Sequence, residues 1–284
     1  MAKKRVVLTG AAGYLSQRMF TEFQSRYDLV PVDVNDTFRD GTKVPGVQLC
    51  DLTREDRSGI RNLFRGADAI VHNGFVIDRG MNATTWDLNT EPKFRLEFKN
   101  IAMAYNVYQA ALEEGVKRVV VSSSNHAADY YERLIWSNRW DCVTPDMPPK
   151  SDNFYGWAKI SYEALGFLYA TGKVGGKKLE VVQLRIGGPR ETDIDEISPG
   201  DIPKLHRALG AYLSVRDQTQ LYLRAIEASP IEDEYGVPFV IAYGISANTH
   251  AFWSLVTARE KLGYKPQDNS QVKFADKIAK LTRQ

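Results

Sequence analysis

The chain has 284 residues, enough for a sizeable core in one large domain or two small ones. Hydrophobic residues make up 43% and charged ones 25%, the balance of an ordinary globular protein rather than a disordered or fibrous one. Its 37 basic and 35 acidic residues are interspersed, to a net charge of +2, which argues against nucleic acid or a membrane surface as a partner.

Met1-Ala2-Lys3-Lys4-Arg5 mimics the basic start of a signal peptide, but the apolar run after it stops at Leu8. No signal peptide is therefore expected, and the expected location is cytoplasmic. No apolar run approaches the roughly 18 residues of a membrane span. Cys50 and Cys142 form no pattern, which fits a reduced compartment. The sequence has no His-Glu-x-x-His and no clustered cysteines, so no metal is expected.

Arg5-Val6-Val7-Leu8 reads as a strand, and Thr9-Gly10-Ala11-Ala12-Gly13-Tyr14-Leu15-Ser16 turns it into a helix running to about Arg26. Gly10 permits a tight turn and Gly13 lets backbone approach a pyrophosphate. The helix N-terminus around Tyr14 and Leu15 offers unpaired N–H groups. Leu29-Val30-Pro31-Val32-Asp33 is a second strand ending in an acid. Asp33 falls 23 residues after Gly10, close to the roughly 20 expected of a carboxylate that accepts hydrogen bonds from an adenosine ribose. That carboxylate also disfavours a 2′-phosphate, so NAD is expected over NADP, with Arg39 the one nearby residue placed to counter it.

The alternation continues. Val47-Gln48-Leu49-Cys50 is a short strand before Asp51-Leu52, Arg54 to Phe64 a helix, and Ala69-Ile70-Val71-His72 a strand ending at Asn73-Gly74. His72 reads as a packed, hydrogen-bonded residue rather than a ligand. Glu91 to Glu114 is helical by periodicity and stops at Gly115. Strands alternating with helices predict an α/β fold with a parallel, doubly wound sheet.

The chemistry concentrates between Ser122 and Lys159. The run Val119-Val120-Val121 is a buried strand whose end, Ser122-Ser123-Ser124-Asn125-His126, emerges at a rim. Asp152 and Asn153 supply N-cap oxygens for a helix on which Tyr155 and Lys159 lie one turn apart and face the same way. A phenol has an ordinary pKa of about 10, and a cation one turn away is expected to lower it. Such a phenol can take a proton from an alcohol while a serine holds the same oxygen. Between Asp129 and Asp152 lies a long irregular segment whose Pro145, Pro148 and Pro149 preclude a regular helix over its second half. It reads equally as a substrate wall or as a surface excursion.

Leu179 to Ile186 is a further strand. Arg185, near its C-terminal end, is placed either to face the ligand crevice or to form an ordinary salt bridge. Residues 190 to 214 read as loop-rich, Arg216 to Ser229 as a helix, Pro238 to Ala242 as a strand, and Trp253 to Gly263 as a last helix before a solvated tail. The expected division is a nucleotide-binding domain over 1–187 and a small substrate region over 188–284, partly packed back on the first.

Thr9-Gly10-x-x-Gly13-x-x-Ser16, Asp33, Asp51-Leu52, Ser124 and Tyr155-x-x-x-Lys159 resemble the extended short-chain dehydrogenase/reductase superfamily, the NAD-dependent epimerase/dehydratase group, over nearly the whole chain. The resemblance implies a Rossmann sheet with a small C-terminal substrate-binding region. It implies Tyr155 as base, Lys159 as its partner and ribose contact, and Ser124 as the orienting hydroxyl. It also places NAD against Gly10, Gly13, Tyr14, Leu15, Asp33, Asp51, Leu52, Asn73, Gly74 and Asn100, as well as Tyr155 and Lys159.

A narrower likeness, to the uronate dehydrogenases, runs through Asn100 to Ala111, Ser123-Ser124-Asn125-His126, Leu184-Arg185-Ile186-Gly187 and Tyr243 to Asn248. It implies substrate contacts from Ser124, Asn125 and His126, and a grip on a sugar carboxylate by Arg185. Three departures stand out: Ser16 replaces the third glycine, Ile77 falls where that group shows a hydroxyl, and the Trp136 to Pro149 segment is long. The expectation is NAD-dependent oxidation of a hexuronate or related aldose at C1 to the lactone, by a homo-oligomer. A nucleotide-sugar epimerase or dehydratase and a non-catalytic NAD-binding protein remain as alternatives.

Overall fold

A computed structural model describes residues 2–77 and 89–282. β1 (Arg5–Thr9) leads into α1 (Tyr14–Arg26), followed by β2 (Asp28–Asp33), β3 (Gln48–Leu49), α2 (Ser58–Phe64), β4 (Ala69–His72) and α3 (Glu91–Glu113). β5 (Arg118–Ser124) runs into a 3-10 turn over Asn125–Tyr131, then α4 (Glu132–Trp136) and, after an irregular stretch, α5 (Phe154–Ala170). β6 (Glu180–Ile186), α6 (Ile202–Ala211), α7 (Val215–Glu227), β7 (Phe239–Gly244), α8 (Val256–Leu262), α9 (Ser270–Lys273) and α10 (Ala275–Leu281) complete the described chain.

The strands form one sheet in the order β3-β2-β1-β4-β5-β6-β7, with every pairing parallel. Strand order reverses between β1 and β4, which opens a crevice at the C-terminal ends of those strands. Alternation along each strand divides the core. Val6, Leu8, Val120, Val182 and Leu184 pack with Phe20 and Phe23 of α1 and Leu221 of α7. Val7, Val119, Val121 and Val181 pack on the opposite face with Met103 and Val107 of α3 and Tyr162 of α5. The doubly wound α/β Rossmann arrangement read from the sequence is therefore the fold, and its seventh strand comes from the C-terminal region.

Three stretches differ from their sequence reading. The loop-rich region holds α6, which starts where the Asp201 side chain accepts the Lys204 N–H at 3.1 Å and Pro203 sits in the first turn. The helix read from Arg54 begins only at Ser58, because Asp51 and Asp56 accept N–H groups two residues on, from Thr53 and Ser58, and hold that stretch in turns. The C-terminal stretch is not a solvated tail. Phe274 is buried, and Ile278 and Leu281 pack with it on Ile194, Leu205, Leu209 and Tyr212. In the long segment after β5, Tyr131 stacks on Trp140 at 5.2 Å and the buried Val143 bridges to Trp253. Among the described residues no helix is long and apolar enough to cross a membrane.

Candidate active site

The crevice is a cleft of about 2120 Å³ that runs from the β1–α1 turn past the end of β5 to α4 and α6. At one end Gly10 has φ +68°, and a Cβ there would lie 2.5–2.6 Å from the backbone of Asn73 and Gly74. Both conformation and space therefore require glycine. Gly13 is the N-cap of α1 and gives no side-chain cap, so the first-turn N–H groups of Tyr14, Leu15 and Ser16 are left to the cleft that those residues line. Asp33 is held at the end of β2, where its carboxylate accepts the Ala12 N–H at 3.0 Å and the Asn35 N–H at 2.9 Å. Ser16, at the third-glycine position, is buried and accepts a hydrogen bond from Asn73 Nδ2 at 3.0 Å.

Asp51, Leu52, Asn73 and Gly74 line the same cleft. Asn100 does not reach it. It is buried on α3 and clamps the backbone of Val76 through both its amide oxygen (2.7 Å) and its amide nitrogen (3.1 Å). An uncapped helix N-terminus, a glycine cradle and a strand-end carboxylate fit a dinucleotide. Tyr14 lies between the guanidinium groups of Arg18 and Arg39, at 5.4 and 5.5 Å.

Toward the middle of the cleft, β5 delivers Ser124 and α5 delivers Tyr155 and Lys159. The start of α5 is set by Asn153, whose side chain accepts the Gly156 N–H at 2.8 Å. Ser124 and Tyr155 both line the cleft, and the Ser124 hydroxyl donates to Asn125 Oδ1 at 3.4 Å. Lys159 is buried 5.6 Å from the centre of the Tyr155 ring, and its Nζ donates to the Ser122 carbonyl at 2.9 Å.

The expected lowering of the phenol is not what this arrangement produces. Burial pushes Tyr155 up to about 12, helped by the charge of Glu97 and opposed by the nearby Ser124 hydroxyl and the charge of Arg190. Burial likewise pushes Lys159 down to about 8, opposed by Glu97 and Glu163. The ammonium donates to a carbonyl and lies over the ring face. His72 is packed: Thr9 Oγ1 lies 2.8 Å from its Nδ1, and burial holds its pKa near 3.

At the far end Asn125 and His126 line the cleft, joined by Asp129, Glu132, Arg190 and Arg207. Arg207 Nη2 lies 3.2 Å from His126 Nε2. A guanidinium can only donate, so Nε2 accepts and His126 Nδ1–H donates to Asp129, 2.8 Å away. The sequence reading names Asn125 and His126 as substrate contacts but not Asp129, Glu132, Arg190 or Arg207. His126, Asp129 and Glu132 recur at three-residue spacing straight after the serine strand, which was a usable signal; Arg207 lay hidden in the stretch read as loop.

Arg185, like Asn100, is a candidate site residue that lies away from the cleft, and it takes the salt bridge that was its other reading. Along β6, Val181, Gln183 and Arg185 share the face toward α5, so Arg185 points sideways into the core rather than out of the strand end. It is 0% exposed, with Nε and Nη2 each donating to Glu163 at 2.8 Å and Nη1 donating to the Tyr243 hydroxyl at 3.0 Å. Ser123, its neighbour across the strand pair, donates to the same carboxylate at 2.7 Å.

Residues 6–186 match the sequence pattern of the NAD dependent epimerase/dehydratase family. The chain is 31% identical to an L-arabinose 1-dehydrogenase (NAD(P)(+)) of Haloferax volcanii, over 94% of this chain and 97% of that one. It is 29% identical to an NAD-dependent glucose-6-phosphate dehydrogenase of the same organism, over 93% and 94%. Among solved structures, the uronate dehydrogenase from Agrobacterium tumefaciens superposes with a TM-score of 0.73 at 28% identity, covering all of this chain and 91% of that one.

Proposed function

Because the chain belongs to the NAD-dependent epimerase/dehydratase family, we propose that it is an NAD-dependent sugar dehydrogenase that oxidises the anomeric carbon of an aldose or sugar acid to the lactone. The observation that carries this reading is that Ser124, Tyr155 and Lys159 open onto the same cleft as Gly10, Gly13 and Asp33. A bound oxidised dinucleotide supplies the hydride acceptor, together with a positive charge in the cleft that favours the phenolate. Tyr155 takes the proton of the anomeric hydroxyl. Ser124, which lines the cleft beside Tyr155, holds the same substrate oxygen. Lys159 adds its charge below the ring and steadies the end of β5 through the Ser122 carbonyl. Asp33 faces the adenosine ribose and favours NAD.

The narrower expectation of a hexuronate gave Arg185 the grip on the sugar carboxylate, and that guanidinium is taken up by Glu163. Four cations at the far end of the cleft also have partners: Arg133 with Asp152, Arg190 with Asp193, Lys204 with the Glu196 carbonyl, and Arg207 with Glu132. The test is a panel of aldoses, sugar acids and UDP-sugars incubated with NAD while reduced nicotinamide is followed by absorbance. Reduction driven by an aldose or sugar acid supports the reading. Interconversion of a UDP-sugar without net reduction would replace it with an epimerase.

A further inference from the structure

The substrate end of the cleft has a definite polarity, set by the segment that follows β5. Glu132, the first residue of α4, is buried and brings both carboxylate oxygens to Arg207 Nε, at 3.1 and 2.9 Å. The guanidinium that could meet a substrate carboxylate beside His126 therefore already holds one. Asp129 lies next to this pair. Its Oδ2 accepts from His126 and from Asn153 Nδ2, both at 2.8 Å. Its Oδ1 is buried with no hydrogen-bond partner among the described residues. Asn125, 2% exposed, has an amide nitrogen in the same condition. Both residues line the cleft.

With His126 in its neutral, Nδ1-protonated form, the charged residues lining this end, Arg133, Arg190, Lys204 and Arg207 against Asp129, Glu132, Asp152, Asp193 and Glu196, sum to one negative charge. Asp129 Oδ1 and Asn125 Nδ2 are themselves covered, so what Asp129 offers the cleft is charge rather than contact. A substrate carboxylate at this end finds Arg207 already paired and meets the like charges of Glu132 and Asp129, whereas a sugar hydroxyl carries no charge to be repelled.

From these contacts we infer that Glu132 and Asp129 make the site select neutral aldoses and exclude sugar acids, with Glu132 acting as an internal stand-in for the substrate carboxylate on Arg207. This rests on the sugar-dehydrogenase reading and names its substrate class.

The test compares the parent with Glu132→Gln, which keeps the shape of the side chain and removes its charge. L-Arabinose, D-galactose and D-glucose are the neutral probes, and D-galacturonate and D-glucuronate the acidic ones. Each is assayed with NAD for kcat/KM, and each is also tested for its ability to raise the Tm of the NAD-loaded protein. The parent is expected to use neutral aldoses and to show no Tm rise with the uronates. Glu132→Gln should raise the uronate-to-aldose ratio of kcat/KM by about tenfold or more, the worth of one released charge-assisted hydrogen bond, and should gain a uronate-dependent Tm rise. A parent that oxidises uronates as well as neutral sugars overturns the inference. So does a Glu132→Gln variant with no gain in uronate binding. If no sugar is oxidised at all, the dehydrogenase reading falls, and the Tm rise still decides whether Glu132 masks Arg207.

Discussion

Replacing Arg185 should unfold the protein more readily rather than weaken its grip on a substrate. Its side chain is 1% exposed and that of Glu163 is 5%, and the two share a pair of parallel 2.8 Å hydrogen bonds. Removing one partner of such a buried pair strands the other charge, at a cost of about 3–5 kcal/mol. Arg185→Met should therefore lower Tm by roughly 6–20 °C, taking about 2–4 °C per kcal/mol for a chain of this size. Glu163→Leu alone should do the same. The double variant should recover about 2–3 kcal/mol of the summed loss, since no charge is left unpaired. It will not recover fully, because the hydroxyls of Ser123 and Tyr243 lose their partner. Thermal unfolding of the four proteins closes the cycle. An Arg185→Met variant with Tm within about 2 °C of the parent and a raised KM only for acidic sugars would refute the reasoning, and would return Arg185 to the substrate.

Two further outcomes follow from the geometry. Tyr155→Phe keeps the ring against Phe75 and His126 and loses only the hydroxyl, so turnover should fall by roughly 10²–10⁴-fold while NAD affinity by fluorescence titration stays within a few-fold. A rate within a few-fold of the parent would remove Tyr155 as the base. His72 has a folded pKa near 3 against 6.5 when unfolded, so below pH 6.5 the unfolded chain takes a proton that the folded chain refuses. Stability should therefore fall as pH drops from 6.5 toward 3, by about 1.4 kcal/mol per unit from this residue. Between about pH 7 and pH 5, urea unfolding of the parent should lose about 2 kcal/mol more than His72→Gln. Equal losses would mean that His72 takes up its proton while folded.

The nucleotide end was legible in the sequence because its requirements are local. Gly10 needs positive φ and an absent Cβ, α1 needs no cap, and Asp33 needs only to end β2. The Tyr155 and Lys159 pair was legible from helical spacing, but its electrostatics was not. Helical spacing does not reveal burial, and here burial is the larger effect on the phenol. Of the two placements open to Arg185, strand parity with Val181 and Gln183 already favoured the salt bridge over the crevice. The missing information was Glu163, which reads as part of an apolar helix stripe until the tertiary contact is known. Arg207 and Glu132 are 75 residues apart and meet only once α4 and α6 pack at the mouth of the cleft, a pairing that no local pattern encodes.

The central claim is that Tyr155 and Ser124 act on the anomeric carbon of a sugar. The most direct test uses an aldose carrying deuterium at C1, chosen from the neutral sugars that the protein turns over. Incubated with NAD, it should yield the lactone free of deuterium and reduced nicotinamide carrying one deuterium per turnover, with both appearances abolished in Tyr155→Phe. Reduced cofactor without the label, or product that keeps deuterium at C1, would mean that the chemistry occurs at another carbon and would contradict the account.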